Sequence, residues 1–156
     1  MQLYSLEIDD FSSYDYHLIG IHSTLEDYRL AFLLNKHLGV NFKRASYDLD
    51  FENKNNNSFY SVYEYTNKKL DYDWFIIGNV YKSISKSITT GLFSESETRT
   101  FLVPEKKRVD YFLKLEGDVE FEYIVKSIEK INQIPQIITS YIIDTNTLKS
   151  KEFLIF

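Results

Sequence analysis

The chain has 156 residues, 44% apolar and 26% charged, which is the composition of one globular domain with length enough for a sizeable core. A net charge of -5 offers little to hold nucleic-acid phosphates, and the lack of cysteine excludes disulfides and thiolate metal sites. No apolar run approaches the roughly 18 residues of a membrane span, and the opening MQLYSLEIDDF has neither a basic n-region nor an apolar h-region, so a soluble cytoplasmic protein is expected.

The first predicted element is the strand YHLIGIH, with Tyr16 and Leu18 on one face and Ile19 and Ile21 on the other. A strand apolar on both faces is covered on both. Helices are expected on one side; inserted hairpins, a second copy or a partner protein are expected on the other. A helix over 23–39 follows, with Ser23 and Glu26 as an S-x-x-E capping box and Gly39 as its left-handed stop. Its wide apolar arc predicts burial over much of its circumference. A strand over 40–49 comes next. His17 and His22 lie five apart, and His37 falls on the wet stripe of the helix, so no metal-ligand spacing is formed. Asp48, Asp50 and Glu52 alternate with Leu49 and Phe51 and read as a solvated strand face without the glycine turn of a calcium site.

The middle of the chain has no helical period. NKNNNS (53–58) reads as a polar loop, FYSVYEY (59–65) and YDWFIIGNV (72–80) as strands, and TNKKLD between them as a hairpin turn. SISKSITT and TRTFLV are weaker strand candidates.

Then comes VPEKKRVDYFLKLEG (103–117). Pro104 cannot continue a central ladder, so EKKR reads as a turn that sets the register of a strand opening at Val109. Glu105 and Asp110 are expected to bond to backbone or to nearby Lys and Arg. Glu105, Asp110 and Tyr111 are also the candidate binding surface at this sheet edge. A helix over 118–132 carries Phe121, Ile124, Val125, Ile128 and Ile131 on one stripe behind Asp118 as N-cap. A strand over 136–144 follows, and the chain ends in KSKEFLIF, whose four apolar residues are expected to be ordered as a further strand of the same sheet or, as the alternative, in a groove of another protein. Phe153 and Phe156 complete the candidate surface.

The two halves overlay. Asp15-Tyr16-His17-Leu18 and Asp110-Tyr111-Phe112-Leu113 both lie eight residues before a helix cap, so Tyr16 and Tyr111 are expected at equivalent positions facing the helices, with Leu18 and Leu113 beside them. The predicted fold is a single α+β domain over 1–156, with two β-α-β units (15–49 and 108–156, the second carrying the C-terminal strand). They form a ferredoxin-like antiparallel sandwich around a β-rich insertion (50–107); the alternative is an irregular α+β fold in which the middle hairpins form a second sheet.

VPEKKRVDY resembles the signature of the IPExxxVDY family of small bacterial proteins of the Bacteroidetes lineage, with Val103 in place of Ile and Pro104, Glu105, Val109, Asp110 and Tyr111 matching. HSTLEDYRLAFLLNK (22–36) and the LIF ending are similar as well, so the resemblance touches both halves. It implies a housekeeping cytoplasmic setting and no assigned activity. Serine hydrolase, P-loop and dinucleotide patterns are missing, and five glycines leave nowhere for a phosphate-cradling loop. An RNA-binding sheet would use Phe112 and His17, but lacks its glycine-and-aromatic signature and basic frame. The expected function is therefore a non-enzymatic protein–protein interaction or regulatory protein of a cytoplasmic assembly. It would need no cofactor, metal, nucleic acid or membrane, and its partner would be another protein or a second copy. The alternative, by fold analogy, is an ACT-like small-ligand sensor.

Overall fold

The computed structural model describes residues 16–52, 57–89 and 91–156. Asp15, the first residue of the proposed repeat, and most of the NKNNNS loop lie outside the described residues. The fold is mixed α+β. Among the described residues, ten strands and two helices follow one another as β1 (Tyr16–His22), α1 (Asp27–Leu38), β2 (Lys43–Arg44), β3 (Leu49–Glu52), β4 (Asn57–Tyr60), β5 (Val62–Asn67), β6 (Tyr72–Gly78), β7 (Val80–Thr89), β8 (Leu92–Phe101), β9 (Tyr111–Gly117), α2 (Phe121–Asn132) and β10 (Thr139–Ile143).

Six strands make one antiparallel sheet in the order β10-β1-β9-β6-β5-β2. Two hairpins, β3–β4 and β7–β8, form sheets of their own. β1 and β9 lie side by side, and the strand that follows each helix runs parallel to the one before it without touching it. The first unit does not close as expected. β2 has only two residues and sits at the far edge, because β5 and β6 occupy the positions between it and β9. Apolar, aromatic-rich β6 is buried on both faces, whereas the basic pair Lys43–Arg44 tolerates an edge.

Both helices are shorter than expected. α1 opens at Asp27 behind Glu26, and α2 opens at Phe121 behind Glu120; neither N-cap side chain bonds to the helix. Ser23 instead folds back locally, its Oγ accepting from Leu25 N–H at 3.2 Å. This is a turn, and it delays the helix. At the other end Gly39 adopts φ 66° and donates to Asn35 C=O, as a left-handed stop. Asp118 is likewise too early to cap α2, because Gly117 at φ 117° still ends β9, where a Cβ would lie 2.9 Å from Asp71 O and Tyr72 Cβ.

One face of the sheet packs on the helices. Ile19, Ile21, Leu113, Leu115, Trp74 and Ile76 meet Leu30, Leu34, Ile124 and Ile131 there. The opposite face carries Tyr16, Leu18, Phe112, Ile77 and Ile143, and the chain covers it with Tyr60 of β4, Leu102, Val103, Leu148 and Leu154. Both faces of β1 are thus covered from within the chain. Phe112 is fully buried.

The expected equivalence of Tyr16 and Tyr111 fails. Tyr111 and Leu113 lie on the helix side, Tyr16 and Leu18 on the other. Two twelve-residue helices start 94 residues apart, at Asp27 and Phe121, whereas the D-Y-x-L match is spaced by 95. In a strand a one-residue slip moves every side chain to the other face. The helix-facing pair is Ile19 with Leu113, which stand directly opposite each other. The tail is also corrected: Lys151–Leu154 form a 3₁₀ turn, and no strand is added there.

Candidate functional site

The stretch 103–117 is built around Asn79, which is fully buried at the end of β6. Its Nδ2 donates to Lys106 C=O (2.9 Å) and Val109 C=O (2.7 Å), and its Oδ1 accepts from Val103 N–H (2.9 Å). Its backbone N–H donates to Asp110 C=O, and its C=O accepts from Leu102 N–H. One side chain therefore organises the whole turn. Pro104 opens a 3₁₀ turn over Pro104–Lys106 at a position where its missing N–H costs nothing.

Three polar residues of the stretch bond to other segments, whereas Lys107 and Arg108 stay exposed. Glu105 accepts from Ser150, from its N–H at 2.7 Å and its Oγ–H at 3.0 Å. Burial pushes its carboxyl up, but the donors of its own backbone and of Ser150 outweigh that and hold it below the usual carboxylate range. Asp110 Oδ2 accepts from Ser23 N–H at 2.9 Å. Tyr111 donates to Leu25 C=O at 2.5 Å, and burial, then the nearby Asp27, Asp110 and Glu26 carboxylates, push its hydroxyl far above the ordinary value. Asp110 and one oxygen of Glu105 accept from backbone of distant segments, the first of the two kinds of partner expected for them, and the other Glu105 oxygen takes the Ser150 hydroxyl.

Phe153 packs edge-on against Phe51 with ring centroids 4.9 Å apart. Phe156 lies over Lys114, with Nζ 3.7 Å from the ring centre, and edge-on to Phe75. The structure separates the five expected surface residues. Asp110 and Tyr111 line a cleft of about 590 Å³ between the 23–27 loop and the base of β7–β8, where Lys82 and Arg99 stand across from each other. Phe153 and Phe156 line a second, of about 210 Å³, against β3. Glu105 lies on a third, beside Arg108 and Tyr141.

Lys114 is a site that the alternation of β9 conceals. Its side chain has no exposure, and Nζ donates to Leu154 C=O and to Glu116 Oε1, each at 2.7 Å. Phe75 at 4.7 Å and Tyr16 at 5.7 Å complete an aromatic cage with Phe156. Desolvation lowers the ammonium pKa, against the pull of Glu116 and Asp73. A lysine between two leucines in a strand reads as an outward charge, and only the tail that closes over it shows otherwise.

The strongest feature missed as a site is the β7–β8 ribbon. Its two ten-residue strands pair from Val80↔Phe101 to Thr89↔Leu92, an arm of about 30 Å at the usual rise. Large apolar residues crowd its tip, where Ile88 is 71% exposed, Leu92 72% and Phe93 81%, and Ile84 at its middle is 64% exposed. The signal in the sequence is the strict alternation of SISKSIT and SESETRT, each a residue pattern for a solvated strand.

The histidines stay apart. His22 Nε2 meets Tyr141 Oη at 2.9 Å, and His17 and His37 are exposed. Asp48 pairs with Arg44. Among the described residues no group of three or more His, Asp or Glu is placed to hold a metal ion, and no helix is long and apolar enough to cross a membrane. Comparison with known proteins finds no matching family model, no matching curated protein and no matching solved structure.

Proposed function

We propose that this chain is a non-enzymatic protein–protein interaction protein of a cytoplasmic assembly, and that the β7–β8 arm is its docking element. One observation carries the reading: a two-stranded ribbon that stands alone as a sheet exposes four large apolar side chains, one at its middle and three at its tip. Such a ribbon is marginal in water by itself. An apolar tip on an otherwise polar arm is the usual composition of a surface that another protein covers.

The rest of the molecule fits this division of labour. The polar side chains of Glu105, Asp110 and Tyr111 are occupied by internal bonds, which favours a structural role for that stretch. The resemblance of 103–111 and 22–36 to the IPExxxVDY family is part of the same proposal, as is a ferredoxin-like core made of β10-β1-β9-β6 and the two helices, with β6 standing where the strand after α1 was expected.

The test is a variant in which residues 83–98 are replaced by an Asn-Gly turn joining Lys82 to Arg99. Its melting temperature should match that of the full chain, because among the described residues the outer part of the arm is exposed. Partners captured from lysate by the full chain should be lost. Capture that survives the deletion refutes the arm as the docking element.

The cleft of about 590 Å³ favours a second reading, small-ligand sensing, since its volume suits a metabolite. A thermal-shift panel of metabolites checks it: a ligand that stabilises the full chain, and fails to stabilise Lys82→Ala, supports sensing.

A further inference from the structure

The arm has two edges of different character. Val80, Lys82, Ile84, Lys86 and Ile88 share one face of β7, and the residues opposite them on β8 are Phe101, Arg99, Glu97, Glu95 and Phe93. β7 therefore carries only positive charge on this face, while β8 carries both signs. β8 has no strand on its outer side among the described residues. An open edge is a template for another strand.

Resting on the reading of the arm as a docking element, we infer that its partner is a second copy of this chain: β8 pairs antiparallel with β8 of that copy, about a two-fold axis at Glu97. This register sets Glu95 across from Arg99 of the second copy, twice by symmetry. It also sets Phe93 across from Phe101 of the second copy. With the ladder already present, Ile88 and Phe93 then continue into Phe101 and Val80 of the second copy as one apolar row across four strands. The most exposed aromatic of the arm is covered in that row. At the axis Glu97 meets its copy, and each of these carboxylates is already paired to Arg99 of its own chain at 3.0 Å.

The alternatives are worse. Two β7 edges paired about Ile84 would oppose Lys82 and Lys86, like charges directly across from each other. Pairing β7 with β8 of another copy is head-to-tail and propagates instead of closing. Antiparallel overlap of two arms of equal length also carries each tip to the base of the other arm.

The chain has no cysteine, so a single introduced one reports the axis. Sedimentation velocity of the full chain over a concentration series should show a monomer–dimer equilibrium. Under mild oxidation Glu97→Cys should form a disulfide dimer, since directly opposed Cβ atoms lie about 4.5–5.5 Å apart, close enough for slight adjustment to disulfide geometry. Lys86→Cys, on the strand away from the axis, should not. Arg99→Glu should weaken the dimer at least tenfold, and adding Glu95→Lys to it should restore the affinity.

A chain that stays monomeric throughout the series overturns the inference, as does Lys86→Cys cross-linking as readily as Glu97→Cys. A double variant that dimerises no better than Arg99→Glu alone overturns it too. A monomeric chain whose arm is still needed for capture of another protein leaves the docking function standing and removes only the second copy as partner.

Discussion

Lys114 is the one charged residue among the described residues that is fully buried, and it holds the segment 150–156 in place. Lys114→Met keeps the length of the side chain and removes the ammonium. Glu116 is partly exposed and turns to water, so no stranded buried charge is left behind. Leu154 C=O does lose its donor. The expected loss is about 1–2 kcal/mol, measured by urea unfolding with the single, fully buried Trp74 as fluorescence reporter. A gain in stability would mean that the buried ammonium is a net burden.

Tyr16 gives a pH signature on the same face. Burial raises its hydroxyl to about 12, so the folded state keeps a proton that the unfolded chain releases near pH 10. Its stabilising contribution is complete below about pH 10 and is lost between there and about 12. Lys114 has the opposite sign: its lowered value makes stability rise as pH climbs toward the ordinary lysine value of about 10.4. Tyr16→Phe should therefore flatten the alkaline fall in stability between pH 10 and 12. An unchanged alkaline limb would show that Tyr16 is not protected from ionisation.

Among the elements, the turn 102–110 depends on Asn79 more than on its own residues. Asn79→Ala leaves Val103 N–H and the Val109 carbonyl without their partner inside the protein, while the Lys106 carbonyl keeps the Val109 N–H. The cost should be about 3 kcal/mol or more, read by urea unfolding. A cost under 1 kcal/mol would show that the turn holds by Pro104 and Val109 alone. The sheet edges are also defended by single residues. At the β10 edge Asn132 accepts from Ser140 N–H at 2.8 Å and donates to Ser140 C=O at 3.2 Å, in the manner of one more strand residue. Asn132→Ala should cost about 1 kcal/mol and raise concentration-dependent aggregation, followed by light scattering. Unchanged scattering would mean that this edge needs no guard.

For the whole molecule, segments far apart in sequence supply the covering of the sheet. Glu105 fastens Ser150, Asp110 fastens Ser23 and Tyr111 fastens Leu25. Glu105→Ala with Asp110→Ala should lower the melting temperature, with loss of any partner binding only in step with unfolding. Binding lost with an unchanged melting curve would make the stretch a contact surface. The arm stands outside this economy of internal contacts, and its removal should leave the melting curve where it was.

Local chemistry in the sequence was enough to place β1, β6, both helix bodies, the stop at Gly39 and the turn after Val103, whereas the strand expected over 59–65 splits at Ser61 into β4 and β5, which join different sheets. Apolar periodicity and turn residues act over a few positions and need no partner to be read. The helix starts were misplaced because Ser23 and Asp118 have capping chemistry but sit in turns fixed by neighbouring strands. The apparent repeat misled by one residue, since four matched letters carry no information about which face of a sheet is covered. Tertiary structure alone decided that β2 moves to the edge, that Lys114 lies in a cage, that Glu105, Asp110 and Tyr111 bond to distant segments, and that 80–101 leaves the body as an arm. Each of these depends on which distant segment arrives at a given face, a matter of long-range packing that no local pattern of residues encodes.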